Sequence, residues 1–216
     1  MTSQKTFEEV EPIIIQQGNY MLRHLRKKEN KTPFRLSESV REKYKLIASY
    51  FAHDNSFLNA GENFSFKKGI MVCGSVGTGK TLMMEIYALI MRSSKGSPLF
   101  DIFDSHSIVR DFLINGFQTI ETYSSKYYYR DKSPKGLCID DLGMEDQKAI
   151  SYGNHVNVME QILYERYKRQ RLDGMITHAT TNCTPMDLGK LYGDRIADRM
   201  IEMFNIIELN GKSLRA

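Results

Sequence analysis

The sequence lacks the features that mark membrane, secreted and metal-binding proteins. No apolar run approaches the roughly 20 residues of a membrane-spanning helix, and the N-terminus has no basic-then-apolar signal. The chain has only 3 cysteines and 5 histidines, and neither set shows the close spacing of a zinc site or a disulfide framework. These absences predict a cytoplasmic protein with reduced thiols and no membrane partner.

What remains is the composition of an ordinary globular domain. Hydrophobic residues make up 41% and charged residues 26% of the 216 positions, which suits one core with a small appendage. The net charge of +4 mildly favours a polyanionic partner. A basic run at residues 23–35 fits either a solvated linker or contacts with a phosphate backbone.

Apolar spacing predicts two helices followed by alternating strands and helices. The helices cover residues 5–28 and 39–53, and Pro33 marks a linker between them. Short apolar runs then predict five strands, at residues 70–73, 99–103, 136–139, 175–180 and 204–209. Helical patterns lie between them, notably at residues 81–91, 105–114 and 155–171. This alternation predicts an α/β fold with a parallel sheet covered on both faces.

A phosphate-binding loop follows the first predicted strand and precedes a helix. It reads Gly74, Ser75, Val76, Gly77, Thr78, Gly79, Lys80 and Thr81, with Leu82 next in the helix. Small residues let successive backbone N–H groups and the helix N-terminus surround a phosphate. Lys80 is expected to reach the β- and γ-phosphates, and the Thr81 hydroxyl is expected to ligate Mg²⁺. The loop therefore predicts ATP and Mg²⁺ as cofactors.

Two further strand ends carry candidate catalytic groups. The strand Leu137–Ile139 ends in Asp140 and Asp141, at the edge where open α/β sheets bind ligands. Asp140 is expected to hold Mg²⁺, and Asp141 to orient or deprotonate the attacking water. The strand before Asn182 ends in two threonines, and the Asn182 amide is the candidate for a group between the γ-phosphate and that water.

Arg195 and Arg199 lie four residues apart, so they share one face of a helix. A guanidinium offered to the γ-phosphate of a neighbouring subunit is one way in which NTPases complete their charge balance. Pairing within the chain, or plain solvation, is the alternative interpretation of both arginines.

Together these motifs resemble the AAA+ ATPases, in the branch that holds bacterial helicase loaders of the DnaC and DnaI type and IstB-like transposition ATPases. The matching segments are GSVGTGKT at 74–81, LCIDDLG at 137–143, ILYERY at 162–167, ATTN at 179–182, YGDRIADR at 192–199 and GKSLR at 211–215. Their order is more particular to this branch than the phosphate-binding loop alone. The resemblance covers residues 38–216.

The resemblance implies a P-loop fold with five parallel strands in the order 5-1-4-3-2. It implies a short helical N-terminal extension and linker at residues 1–36, an AAA+ ATPase domain at 37–216, and no C-terminal lid domain. Arg199 matches the preferred arginine finger, Arg195 is the second choice, and Arg215 lies where the nucleotide is sensed. Where most AAA+ proteins carry glutamate, this chain has Asp141, which suggests slow ATP hydrolysis.

The implied function is that of an ATPase in DNA replication. Such a helicase loader-like factor acts as a homo-oligomer and engages single-stranded DNA and a replicative DNA helicase. An IstB-like helper that binds duplex DNA and recruits a transposase is the alternative, and a small-molecule kinase or a non-hydrolysing adaptor are more distant ones. Tyrosines interleaved with bases at residues 122–132 suit either stacking of single-stranded DNA or packing on the domain.

Overall fold

The computed structural model describes residues 6–25, 33–93, 100–125, 134–151 and 154–211. The chain divides into two compact units. The first takes in residues 1–66, 75–99 and 209–216, and the second residues 67–74 and 100–208. No helix in the described segments has the length and apolar character required to cross a membrane.

The first unit is helical. Its helices are α1 (Phe7–Tyr20), α2 (Glu38–Phe51) and α3 (Lys80–Ser93), with a π-helical turn at Met21–Leu25 and a 3₁₀ turn at Asn55–Asn59. A fork of two hydrogen bonds joins Arg41 on α2 to the Glu11 carboxylate on α1, at 2.7 and 2.6 Å. The Tyr87 hydroxyl on α3 donates to the Tyr44 carbonyl on α2. The three helices surround a cavity of about 610 Å³.

Glycine has a low helix propensity, yet Gly18 lies inside α1 because the packing of Phe34 requires it. A Cβ atom at this position would lie 2.3 Å from the Phe34 ring, closer than any van der Waals contact. The glycine therefore lets the buried Phe34 pack directly on the helix backbone. The Asn19 side chain fixes the same segment by accepting a 2.9 Å hydrogen bond from the Phe34 N–H.

The second unit is built on a parallel five-stranded sheet. Its strands are β1 (Gly69–Cys73), β2 (Phe100–Asp104), β3 (Gly136–Asp140), β6 (Thr177–Thr181) and β7 (Phe204–Glu208). They lie in the order β2-β3-β6-β1-β7, and every neighbouring pair is parallel. Counted along the chain, this is the order 5-1-4-3-2, so the predicted sheet is confirmed.

Among the residues that the structure describes, five helices and a hairpin complete the second unit. The helices are α4 (Ser105–Asn115), α5 (Phe117–Tyr123), α6 (Val158–Asp173), α7 (Pro185–Tyr192) and α8 (Asp194–Met203), and the hairpin pairs β4 (Ala149–Ser151) with β5 (Asn154–Val156). One apolar cluster joins α4, α6 and α8 to the sheet through residues such as Phe112, Ile162, Met200 and Ile139. Burying these side chains is the main stabilising contribution to the unit.

The predicted element boundaries shift where local hydrogen bonds decide them. The pattern placed a helix at 155–171, but the Asn157 side chain accepts from the Glu160 N–H at 3.1 Å and starts α6 at Val158. The preceding residues belong to the hairpin instead. Such a cap satisfies an N–H group that has no partner inside the helix, so it sets the first helical residue.

A buried arginine forms hydrogen bonds with groups at the amino ends of β3 and β6. Arg166 on α6 is fully buried. It donates to Thr177 Oγ1 at 2.6 Å, and to the carbonyls of Tyr123, Ile176 and Lys135 at 2.9, 2.9 and 3.3 Å. These acceptors replace the water that the guanidinium loses, which is the condition for burying a charged group. Arg166 thus has a structural role at the amino ends of β3 and β6.

Candidate functional site

The phosphate-binding loop has the backbone that its glycines predict. Gly77 and Gly79 adopt φ angles of 85° and 93°, which residues other than glycine rarely adopt. The Thr78 hydroxyl and the Lys80 ammonium both donate to the Ser75 carbonyl at 2.9 Å. The loop is thus closed around one carbonyl, and it leads directly into the N-terminus of α3. This arrangement can present backbone N–H groups and one ammonium to a phosphate.

Lys80 is the first residue of α3 and is only 4% exposed. Thr81 and Leu82 follow in the first turn, where Leu82 is buried and Thr81 partly buried. Ser75 and Val76 are exposed on the outside of the loop. The ammonium is therefore held in place from within the loop, while the outer residues remain open to solvent.

At the carboxyl end of β3, the Thr180 hydroxyl forms hydrogen bonds with both residues of the acidic pair, Asp140 and Asp141. Thr180 Oγ1 on β6 donates to Asp140 Oδ1 at 2.5 Å and accepts from the Asp141 N–H at 3.0 Å. The Leu142 N–H donates to the Thr180 carbonyl at 2.8 Å. The hydrogen bonding between β3 and β6 thus continues past the last residue of β3, to Asp141 and Leu142. This places both aspartates at the edge of the sheet predicted for them.

Asp141 has a left-handed backbone, with φ of 52°. Aspartate tolerates this region better than most residues do, although the conformation still carries strain. Its carbonyl accepts from Ser105 Oγ at 2.9 Å and from the Met144 N–H at 3.1 Å. The surrounding contacts therefore hold the strained residue in place from α4 and from its own turn.

Asn182 lies at the same edge, directly after β6. The preceding residue, Thr181, is fully buried; its hydroxyl donates to the Leu142 carbonyl at 2.7 Å and accepts from the Cys183 N–H at 3.0 Å. These two hydrogen bonds fix the backbone on both sides of Asn182, whose own side chain is partly exposed. The structure thus brings Asp140, Asp141 and Asn182 to one edge of the sheet.

The two candidate arginine fingers lie on α8 and face tyrosines of α6. The Arg195 guanidinium lies 4.4 Å from the ring centre of Tyr164 and donates to its hydroxyl at 2.5 Å. The Arg199 guanidinium lies 4.8 Å from the ring centre of Tyr167. As whole residues, Arg195 is exposed and Arg199 is partly buried. Stacking on a ring orients each arginine without neutralising its charge.

A buried carboxylate that the motifs did not reveal lies behind the acidic pair. Glu145 is 5% exposed. It accepts from the Gly143 N–H at 2.9 Å, from Gln147 Nε2 at 2.9 Å, and from the Tyr192 hydroxyl. Burial and the nearby Glu145 carboxylate raise the pKa of Tyr192 well above its usual range. Glu145 thus connects the turn after Asp141 with the end of α7, immediately before α8.

Hydroxyl and carboxylate oxygens are the ligands predicted for Mg²⁺, which prefers hard oxygen ligands and is usually bound through one or two carboxylates together with substrate phosphates. Asp140 carries a carboxylate at the end of β3, and Thr81 carries a hydroxyl in the first turn of α3. Within the described residues there is no group of three or more histidine, cysteine, aspartate or glutamate side chains that would form a metal site from protein atoms alone.

Two of the sequence predictions fall outside the described residues. Arg215 lies beyond residue 211, and most of the tyrosine-rich segment lies in residues 126–133. Sequence reasoning missed Thr180, Ser105 and Glu145. The ATTN segment was a visible signal for Thr180. Neither Ser105 nor Glu145 lies in a recognisable pattern, since each acts through contacts with residues far away in the sequence.

The fold is found in solved structures of replication proteins. The DnaC helicase loader superposes with a TM-score of 0.53 at 18% identity, covering 83% of this chain and 94% of that chain. DnaI superposes with a TM-score of 0.52 at 21% identity, covering 84% of this chain and 90% of that chain. AMPPCP-bound DnaA from Aquifex aeolicus gives 0.54 at 17% identity, covering 84% of this chain and 50% of that one. No protein-family model and no curated protein sequence matches the chain.

These likenesses confirm, for the fold, the resemblance predicted from the sequence. The chain shares its α/β architecture with the structures of DnaC, DnaI and DnaA, and its sheet has the predicted strand order. At identities of 17–21% the comparison concerns architecture, and function has to be argued from the site itself.

Proposed function

We propose that this chain is an AAA+ protein that binds and hydrolyses ATP and acts in DNA replication as a helicase loader-like factor. The carrying observation is the phosphate-binding loop, in which Gly77 and Gly79 have the required positive φ angles and Lys80 is buried with its ammonium held at the Ser75 carbonyl. The fold shared with DnaC and DnaI supports the assignment to replication.

In this proposal the loop from Gly74 to Leu82 binds the phosphates of ATP. The backbone N–H groups donate hydrogen bonds to the phosphate oxygens, and Lys80 donates to the β- and γ-phosphates. Asp141 orients the attacking water or takes its proton, and Asn182 positions the same water. These groups need no large movement of their own, because hydrogen bonds already fix the backbone at Asp141 and on both sides of Asn182.

Thr81 and Asp140 would hold Mg²⁺. The ion supplies positive charge to the β- and γ-phosphate oxygens. Arg195 and Arg199 would serve a neighbouring copy of the chain, which makes ATP hydrolysis depend on assembly. Arg215 would sense the nucleotide. Single-stranded DNA and a replicative helicase are the proposed partners, with a homo-oligomer as the active form.

Nucleotide binding is tested first, with Lys80→Ala and with Lys190→Ala as the control. Lys190 is an exposed lysine on α7 that pairs with Asp187 at 3.1 Å. We expect Lys80→Ala to bind ATP about 10- to 150-fold more weakly, since one charge-assisted hydrogen bond is worth about 1.5–3 kcal/mol. Lys190→Ala should bind ATP like the wild type. Equal affinity of the wild type and Lys80→Ala would refute the phosphate-binding assignment.

Hydrolysis and assembly are tested together by measuring ATPase rates across protein concentration, with and without single-stranded DNA. We expect a rate per chain that rises with concentration. Asp141→Asn should retain ATP binding and lose hydrolysis. Arg199→Ala and Arg195→Ala should also bind ATP, and the variant that loses the concentration-dependent rate identifies the finger. If neither variant loses it, the proposal of a finger acting on a neighbouring subunit is wrong.

The replication role is tested by affinity purification of the tagged chain with ATP present. Recovery of a hexameric replicative helicase is the expected result, and it should depend on Lys80. Recovery of a transposase in place of the helicase would contradict the loader assignment while leaving the ATPase assignment intact.

A further inference from the structure

The Thr180 hydroxyl occupies an unusual position for a residue inside a core strand. All five residues of β6 are buried, and Thr180 is fully enclosed. A buried hydroxyl destabilises the fold unless it is hydrogen-bonded, and valine would fill nearly the same volume without that cost. The hydroxyl is instead paired on both sides, and both partners belong to the acidic pair.

The direction of these hydrogen bonds is fixed. A threonine hydroxyl has one hydrogen to donate, and Thr180 gives it to Asp140 Oδ1 at 2.5 Å. Its oxygen accepts from the Asp141 N–H at 3.0 Å. Since a β-branched side chain has few χ1 choices in a strand, the backbone of β6 sets the position of the hydroxyl. The hydroxyl in turn orients the Asp140 carboxylate and the Asp141 peptide.

The neighbouring threonines of β6 have different partners. Thr177 Oγ1 accepts from Arg166 Nε at 2.6 Å, at the amino end of the strand. Thr181 Oγ1 donates to the Leu142 carbonyl at 2.7 Å. Both of these contacts hold backbone or structural groups in place. The contact between Thr180 and Asp140 differs from them because it reaches a carboxylate at the functional edge of the sheet.

We propose that Thr180 is a positioning residue that fixes the orientation of the Asp140 carboxylate for Mg²⁺ and the backbone of Asp141 for the attacking water. This inference rests on the proposed function. Residues that hydrogen-bond a metal ligand orient it, and their replacement typically lowers metal affinity or activity by about 10- to 100-fold. Removing the hydroxyl should therefore change the Mg²⁺ concentration that nucleotide binding requires more than it changes the stability of the fold.

The test uses Thr180→Val, Thr180→Ser and the control Thr177→Val. The Thr177 control removes one hydroxyl from the same buried strand, at the end away from the acidic pair. The measurement is the Mg²⁺ concentration that half-saturates binding of a fluorescent, non-hydrolysable ATP analogue, with unfolding in urea measured alongside. We expect Thr180→Val to need about 10- to 100-fold more Mg²⁺. Thr180→Ser, which keeps the hydroxyl, should behave like the wild type.

The control separates positioning from a general loss of stability. Thr177→Val should unfold at a lower urea concentration than the wild type and keep the wild-type Mg²⁺ requirement. A double variant with Asp140→Asn adds a second readout. Because Thr180 is proposed to act through Asp140, Thr180→Val should add little to the Mg²⁺ effect of Asp140→Asn.

Several results would overturn the inference. One is a wild-type Mg²⁺ requirement in Thr180→Val, and another is an equal defect in Thr180→Ser. If the valine variant does not fold, Thr180→Ala adds no atom and gives the same comparison. A wild-type chain that binds no ATP analogue would overturn the proposed function itself, whereas Mg²⁺-dependent binding that Thr180→Val leaves unchanged would overturn only the role of Thr180.

Discussion

Replacing His178 by asparagine should remove a pH dependence of stability that originates in the sheet. His178 lies in β6, is 3% exposed, and accepts from the Ile70 N–H through Nδ1 at 3.0 Å. Its ring lies 4.7 Å from that of Phe100. Burial, with a smaller contribution from the Arg166 charge, lowers the pKa of His178 from 6.5 to about 3. A protonated ring would also lose its acceptor at Nδ1.

The sign of the effect follows from this direction. The unfolded chain binds a proton at His178 near pH 6.5, whereas the folded chain resists protonation until about pH 3. Stability from this group is therefore complete above pH 6.5 and is lost as the pH falls toward 3. One proton accounts for at most about 1.4 kcal/mol per pH unit. The loss is about 1 kcal/mol at pH 5.5 and about 3 kcal/mol at pH 4.5.

The assay is urea unfolding followed by circular dichroism at pH 7.5, 6.5, 5.5 and 4.5. His178→Asn keeps an oxygen acceptor for the Ile70 N–H and has no proton to gain, and all other titratable groups are common to both proteins. The difference in unfolding free energy between wild type and variant should therefore change with pH by the amounts above. A difference that stays constant from pH 7.5 to 4.5 would refute the reasoning.

Three further substitutions, with a fourth as a control, test the packing with the same unfolding assay. Arg166→Met should lower stability by at least about 3 kcal/mol, because several buried acceptors lose their donor at about 1–3 kcal/mol each; a loss below about 1 kcal/mol would contradict the structural role. Gly69→Ala should prevent folding, since the new Cβ would lie 1.6 Å from a carbonyl oxygen of the neighbouring strand. Gly211→Ala is the control, because a Cβ there meets nothing within 4 Å. The stability of this control should stay within about 0.5 kcal/mol of the wild type. Tyr192→Phe should cost about 1–3 kcal/mol by removing a donor from buried Glu145, and unchanged stability would argue against that hydrogen bond.

The sheet was predictable because its strands are short apolar runs that stand apart from helical spacing. The parallel arrangement followed from the alternation of strands and helices, and the strand order from the resemblance. By contrast, α5 and the β4–β5 hairpin were missed. α5 has only seven residues, too few for periodicity to show, and the hairpin strands have three residues each.

The site was predictable only to the extent that it lies in contiguous motifs. Glycines and one lysine identify the phosphate-binding loop, and two aspartates mark the end of β3. The contacts that orient these groups join distant positions: Thr180 reaches Asp140 across 40 residues, and Ser105 reaches Asp141 across 36. Spacing in one sequence carries no information about such pairs. They become visible only when the strand register is known.

The packing of α1 matters for anyone who shortens this protein. In the first unit, Ile14 of α1 is completely buried, and the Glu11 carboxylate of α1 receives both hydrogen bonds of the Arg41 fork. A fragment beginning at residue 37 would expose the apolar surface of α2 that packs on α1. The hydrogen bond from Tyr87 connects α2 to α3, the helix that starts at Lys80. Such fragments should aggregate more readily and bind nucleotide more weakly than a chain that keeps α1, so nucleotide measurements should use a chain that includes α1.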